Sequence, residues 1–174
     1  KAVIAGLVAD LVPDGASLVI DSGSTAQAAA RALAGHAGLT VYTNDLHVGR
    51  ILVDSDHEVH LLGGRLGRRE PSTSGPDTLA MLAGYRTDYA LVGVGGFGAE
   101  HGFTDYDRTA ADLRDAMLGS ASTPIFLLGH EKIGRTVPAR LKAASLARFA
   151  VTDRAPSEEI RTALERAAIA VVVP

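Results

Sequence analysis

Apolar positions along the chain alternate between two periods. Ile4, Leu7, Val8 and Leu11 recur at three- and four-residue intervals, which predicts a helix over 1–12 that has no N-cap before it. Pro13-Asp14-Gly15 then signals a turn. From there, short β-branched or aliphatic runs read as strands at 17–20, 39–43, 58–62, 88–94, 124–128, 149–152 and 169–173. Between them lie helical stretches at 26–33, 46–53, 76–85, 108–121 and 158–167, the last opened by Ser157 with Glu158 and Glu159 in its first turn. Segments 66–75 and 99–107 are rich in Gly and polar residues and read as loops.

Strands that alternate with helices, and are apolar through their length, predict an α/β fold with a mostly parallel sheet flanked by helices on both sides. In such sheets ligands bind outside the carboxyl ends of the strands. The suggestive polar groups all fall there: Asp21, Ser22, Gly23, Ser24 and Thr25 after the first strand; Thr43, Asn44 and Asp45 after the second; Gly63, Gly64 and Arg65 after the third; Gly95 and Gly96 after the fourth; and the stretch 129–132, with Lys132, after the fifth.

The first of these turns has the most chemistry. Gly23 permits a tight turn, and helix formers follow, so Ser24 or Thr25 is expected to be the N-cap. Free N–H groups at a helix start, the helix dipole and three hydroxyls suit a phosphate. Taken alone, these residues fit a capped turn as well as an anion cradle. The convergence of several polar strand ends favours the cradle. Lys132 reads either as a cation reaching that phosphate or as a solvated surface charge, and so does Arg65, for which the surface reading is preferred. Asp105 and Asp107 precede a helix, where capping accounts for Asp107.

Composition narrows the classes. The 174 residues, 47% hydrophobic, predict one domain over 1–174 with a sizeable core. With a net charge of −3 and a single local basic cluster, Arg65, Arg68 and Arg69, the chain shows no basic face of the kind that holds DNA by itself. Cysteine is absent, which excludes disulfides and thiolate metal sites and is compatible with a reducing cytoplasm, the expected location. No apolar run reaches the roughly 18 residues that span a bilayer, so no membrane partner is expected. The stretch 93–98, G-V-G-G-F-G, does not open a helix as a dinucleotide fingerprint would. The histidines at 36, 47, 57, 60, 101 and 130 show no metal-binding helical pair. No cofactor, metal or catalytic residue is expected.

In order along the chain, D-S-G-S-T (21–25), V-Y-T-N-D (41–45), L-L-G-G (61–64), S-G (74–75), T-D-Y-A-L-V-G-V-G-G (87–96), G-F-T (102–104), H-E-K-I-G (130–134) and V-T-D (151–153) resemble the C-terminal effector domain of DeoR-type bacterial transcriptional repressors. The resemblance implies a ribose-5-phosphate isomerase-like, Rossmann-like fold, a phosphorylated sugar or sugar-derived effector, and homo-oligomers, dimer or tetramer. It further implies that DNA is contacted only through an N-terminal helix-turn-helix domain, from which the opening helix 1–12 would continue. On this pattern Ser22 to Thr25 would hold the phosphate, Asn44 and Asp45 would lie beside the sugar, Gly63 and Gly64 would line the pocket, and Lys132 would neutralise the anion. The chain departs from the pattern where relatives carry acids or a basic pair: it has Gly98, Ala110, Arg114-Asp115 and Gly129. The alternative is an aldose–ketose isomerase of the same fold, for which Asp105, Asp107 and Glu131 are the candidate bases.

Overall fold

The computed structural model describes residues 1–68 and 70–174, so Arg69 of the basic cluster lies outside the described residues. Helix α1 (Ala2–Leu11) leads into β1 (Ser17–Ile20), α2 (Ser24–Leu33), β2 (Thr40–Thr43), α3 (Leu46–Leu52) and β3 (Glu58–Leu61). A small hairpin, β4 (Arg65–Leu66) and β5 (Thr73–Ser74), precedes α4 (Pro76–Leu82) and β6 (Thr87–Gly93). Next come β7 (Gly96–Gly98), β8 (Gly102–Asp105), α5 (Arg108–Ser120), β9 (Ala121–Leu127) and β10 (Ala139–Arg140). The chain closes with β11 (Phe149–Val151), α6 (Glu158–Arg166) and β12 (Ala170–Val172).

Seven strands form one sheet in the order β12-β11-β9-β6-β1-β2-β3, and every pairing in it is parallel. The expected α/β fold is therefore present, and strand alternation explains how its two faces are filled. Leu18 and Ile20 of β1 join Val41, Leu91, Ile125 and Val151 in one apolar layer under α1, α2 and α3. The intervening Val19, with Ala90, Val92, Phe126 and Ala150, joins the opposite layer under α4, α5 and α6. On that second face Phe97, Phe103 and Phe126 stack in sequence, with ring centroids 4.4 and 3.8 Å apart. Burying both faces is what makes the strands read as continuous apolar runs.

Three local expectations need correction. Helix α2 begins at Ser24 itself, with Gly23 as N-cap; at φ 103° and ψ 167° this position is open to glycine and strained for other residues, so the chain turns one residue earlier than a hydroxyl cap would require. Both predicted loops contain short strands: 66–75 overlaps the β4–β5 hairpin, and 99–107 contains β8, which pairs antiparallel with β7 and β10. Hairpins this short carry too little alternation to register as a period. Ser157 occupies the N-cap of α6 but makes no side-chain capping bond, whereas Asp107 does cap α5, accepting from the Ala110 N–H at 2.9 Å. Among the described residues no helix is long and apolar enough to cross a membrane.

Candidate functional site

Strand order reverses direction at β1: the chain runs β1-β2-β3 one way, then returns to place β6 on the other side of β1. At such a switch point the connections leave in opposite directions and a crevice opens between them. A cavity of about 750 Å³ occupies that crevice, between the turn after β1, the end of β6, the start of α5, the β4–β5 hairpin and the 3-10 turn His130–Lys132.

The turn after β1 forms one wall. Asp21 is 2% exposed, accepts from the Ser22 N–H at 2.7 Å and the Gly93 N–H at 3.0 Å, and so ties the ends of β1 and β6 together. No side chain caps α2, and Ser24, Thr25 and Ala26 of its first turn line the cavity. Those orphan donors and the positive end of the dipole make this wall receptive to an anion. Lys132 also lines the cavity, with its Nζ 5.9 Å from the Tyr106 ring centre. Asn44 also lines the cavity. It is 2% exposed, its Nδ2 donates to the Thr73 carbonyl at 3.0 Å, and its Oδ1 has no partner among the described residues. A buried acceptor left in that state costs free energy until a donor reaches it.

An ion triad lines the cavity. Arg114 of α5 donates from Nε to Asp21 Oδ2 at 2.7 Å and from Nη1 to Asp105 Oδ2. The three side chains are 14%, 2% and 4% exposed. Burial opposes the charge on Arg114, yet Asp21 and Asp105 outweigh it and hold the guanidinium above its usual range. For Asp105 burial is the larger force, so its carboxyl lies above the usual value even with Arg114 beside it and the Tyr106 N–H donating at 2.7 Å.

Of the residues singled out in the sequence, the fold brings Asp21, Ser22, Gly23, Ser24, Thr25, Asn44, Arg65, Gly95, Asp105 and Lys132 to the cavity wall. Thr43, Asp45, Gly63, Gly64 and Gly96 are not among the residues that line it. Thr43 Oγ1 accepts from the Asp45 N–H at 3.1 Å. Both carboxylate oxygens of Asp45 are engaged: Oδ1 accepts from the N–H groups of His47 (2.7 Å) and Val48 (3.2 Å), and Oδ2 from the Gly23 N–H (3.0 Å) and Gln27 Nε2 (3.1 Å). It caps α3 and is a strut under the turn. Gly63 accepts at its carbonyl from Thr78 Oγ1 at 2.6 Å, and Gly64, at φ 132°, packs on the same hydroxyl. Gly96 lies against the Arg135 carbonyl. These glycines shape turns.

The departures from the family pattern have structural roles of their own. Arg114 forms the triad, and Asp115 accepts from the N–H groups of Lys142 and Ala143, both at 2.9 Å. In sequence Arg114 stands out only as a departure from the family pattern, because its partners Asp21 and Asp105 lie 93 and 9 positions away. Outside the cavity proper, His130 Nδ1 lies 2.8 Å from Asp153 Oδ2, and the His130 N–H donates to Asp153 Oδ1 at 2.8 Å. Although burial pushes the other way, these bonds hold the Asp153 carboxyl below its usual range. Among the described residues, His130, Glu131 and Asp153 bring one potential ligand atom each within 4.8 Å of one another. Of the nominated isomerase bases, Asp105 is bound to Arg114 and Asp107 caps α5.

Comparison with known proteins accords with this architecture. The family model described as the DeoR C terminal sensor domain matches residues 1–154. A glycerol-3-phosphate regulon repressor of Haemophilus influenzae is 31% identical over 88% of this chain and 60% of its own length. The repressor of the same name from Escherichia coli is 28% identical, over 92% of this chain and 64% of its own length. The HTH-type transcriptional repressor GlcR of Bacillus subtilis is 30% identical, over 98% and 66%. The chain thus spans less than two thirds of the first curated relatives it matches. Among solved structures, ribose 5-phosphate isomerase A from Neisseria gonorrhoeae has a TM-score of 0.55 at 13% identity, covering 76% of this chain and 52% of that one. The translation initiation factor eIF-2B from Pyrococcus horikoshii OT3 has a TM-score of 0.55 at 18% identity, covering 78% and 47%. Identity that low shows a shared fold and nothing more.

Proposed function

The chain belongs to the family of DeoR C-terminal sensor domains, and from that premise we propose that its effector is a phosphorylated sugar or sugar-derived metabolite held in the switch-point cavity. The observation that carries the reading is the N-terminus of α2, without a side-chain cap, lining a cavity that Lys132 also lines. Phosphate oxygens would take the first-turn N–H groups of α2 and the hydroxyls of Ser22, Ser24 and Thr25, with Lys132 as counter-charge. The unpaired Oδ1 of Asn44 offers an acceptor for a hydroxyl of the same ligand.

In this reading such a ligand controls how an N-terminal helix-turn-helix domain outside this chain engages DNA, in line with the HTH-type repressor GlcR among its relatives. It can do so only by binding two conformational or oligomeric states with different affinity. The cavity wall is suited to that role, because it is assembled from segments far apart in sequence, and a ligand bridging the α2 turn and Lys132 would favour the arrangement that brings them together. In this reading the protein works in the cytoplasm as a homo-oligomer, dimer or tetramer. Sensing is favoured over isomerisation by the repressor relatives; of the three nominated bases, Asp105 and Asp107 are committed to Arg114 and to the α5 cap, and Glu131 alone is left.

Calorimetric titration of the 174-residue chain with inorganic phosphate and a panel of sugar phosphates tests the site, with Ser24→Ala and Lys132→Ala as variants. Loss of the charge-assisted contact at Lys132 is expected to weaken binding by roughly tenfold or more. Binding indifferent to both substitutions would overturn the assignment, and substantial turnover of ribose 5-phosphate in a coupled assay would overturn the non-catalytic reading.

A further inference from the structure

Gly129, directly after β9, is buried and has φ −60° and ψ 142°, a conformation open to every residue type. The backbone therefore does not call for glycine. What glycine supplies is room: a Cβ at 129 would stand 2.7 Å from Glu131 Oε1 and 2.8 Å from Glu131 Cδ, and closer still to Oε2. The Glu131 carboxylate occupies the volume that a side chain at 129 would fill, lying against the end of the central sheet, and both residues line the cavity.

That carboxylate differs from the three aspartates that line the same cavity. Asp21 and Asp105 are bound by Arg114 and backbone N–H groups, and Asp107 caps a helix. Glu131 is exposed, with its carboxylate within 4.8 Å of ligand atoms of His130 and Asp153, and among the described residues neither it nor the adjacent Lys132 forms an ion pair. Neighbouring acid and base side chains on one 3-10 turn are thus both offered to the cavity and not to each other. A carboxylate facing an anion cradle repels bare phosphate, and it accepts strongly from hydroxyl groups.

We propose that Glu131, seated over Gly129, is the specificity-determining acceptor for the hydroxyl-bearing part of the effector, so that this cavity selects polyhydroxylated phosphate esters over inorganic phosphate. The inference rests on the phosphate cradle proposed above. The two groups then divide the ligand: the α2 turn and Lys132 hold its phosphate, and Glu131 counts its hydroxyls while disfavouring a second anionic group.

The test measures, by calorimetry, the affinity of the 174-residue chain for inorganic phosphate, glycerol 3-phosphate and glucose 6-phosphate. In Glu131→Gln, sugar phosphates that bind the parent chain are expected to weaken roughly tenfold, while inorganic phosphate binds as well as before or better. Gly129→Asp with Glu131 retained places two carboxylates in one volume and is expected to lose selectivity. The double variant Gly129→Asp/Glu131→Ser returns a single carboxylate to that volume and is expected to regain it. Equal weakening of all three probes in Glu131→Gln, or unchanged selectivity, overturns the inference. A parent chain that binds phosphate yet prefers neither ester also overturns it and leaves the cradle standing, whereas a chain that binds none of the three overturns the cradle and the inference together.

Discussion

Replacing Arg114 by Met removes the one guanidinium shared by Asp21 and Asp105 and keeps most of the side-chain volume. Both carboxylates retain some support, Asp21 from the Ser22 and Gly93 N–H groups and Asp105 from the Tyr106 N–H, but both remain buried. Removing one partner from a buried ion pair costs about 3–5 kcal/mol, and for a chain of this size each kcal/mol lowers Tm by about 2–4 °C. A fall of roughly 6–20 °C at neutral pH is therefore expected. The pH dependence sharpens the test. Because burial raises the Asp105 pKa, the folded state holds its proton more tightly than the unfolded chain does, so this group's contribution to stability falls as pH rises from the ordinary carboxyl value through the raised one. Arg114 is the chief force pulling that value back down, so its removal raises it further and widens the window. The loss measured by urea denaturation should be larger at pH 8 than at pH 5. Arg114→Lys, whose single ammonium cannot fork between two acids, should fall between the two. A loss under about 1 kcal/mol, or one independent of pH, would show that the triad does not hold the ends of β1 and β8 against α5.

Two further outcomes follow from the geometry. Asp45→Ala removes the α3 cap and the strut to Gly23 and Gln27; it is expected to cost about 2 kcal/mol in urea denaturation and to weaken phosphate binding, and full stability would refute the strut. Asp88 is held below its usual range first by the Ser17 N–H at 2.9 Å and then by the Ser17 hydroxyl at 2.7 Å, so Ser17→Ala, which removes only the hydroxyl, should move its titration midpoint upward by carboxyl NMR, and an unmoved midpoint would refute the hydroxyl's share.

Legibility in the sequence followed the range of the interactions. The turn at 21–25 could be read because everything it needs is local: an apolar run, a glycine and a helix within a dozen residues. Even there the cap was misplaced by one residue, since the backbone angles of Gly23 decide where α2 starts. Asp45 was legible as part of a polar strand end, but its role was not, because the N–H groups it serves come from α2 as well as α3. The acid missing at Gly129 was noticed as a loss. Only the folded turn shows the Glu131 carboxylate filling that space.

By itself the sequence determined the α/β class, the polar residues gathered at the strand ends, and the family, because hydrophobic period and short motifs are written in neighbouring residues. Tertiary structure alone decided which of those ends share a cavity and which side chains face it. Arg114 reaches Asp21 across 93 positions of chain, and no local pattern encodes a contact that exists only once the sheet has closed at its switch point.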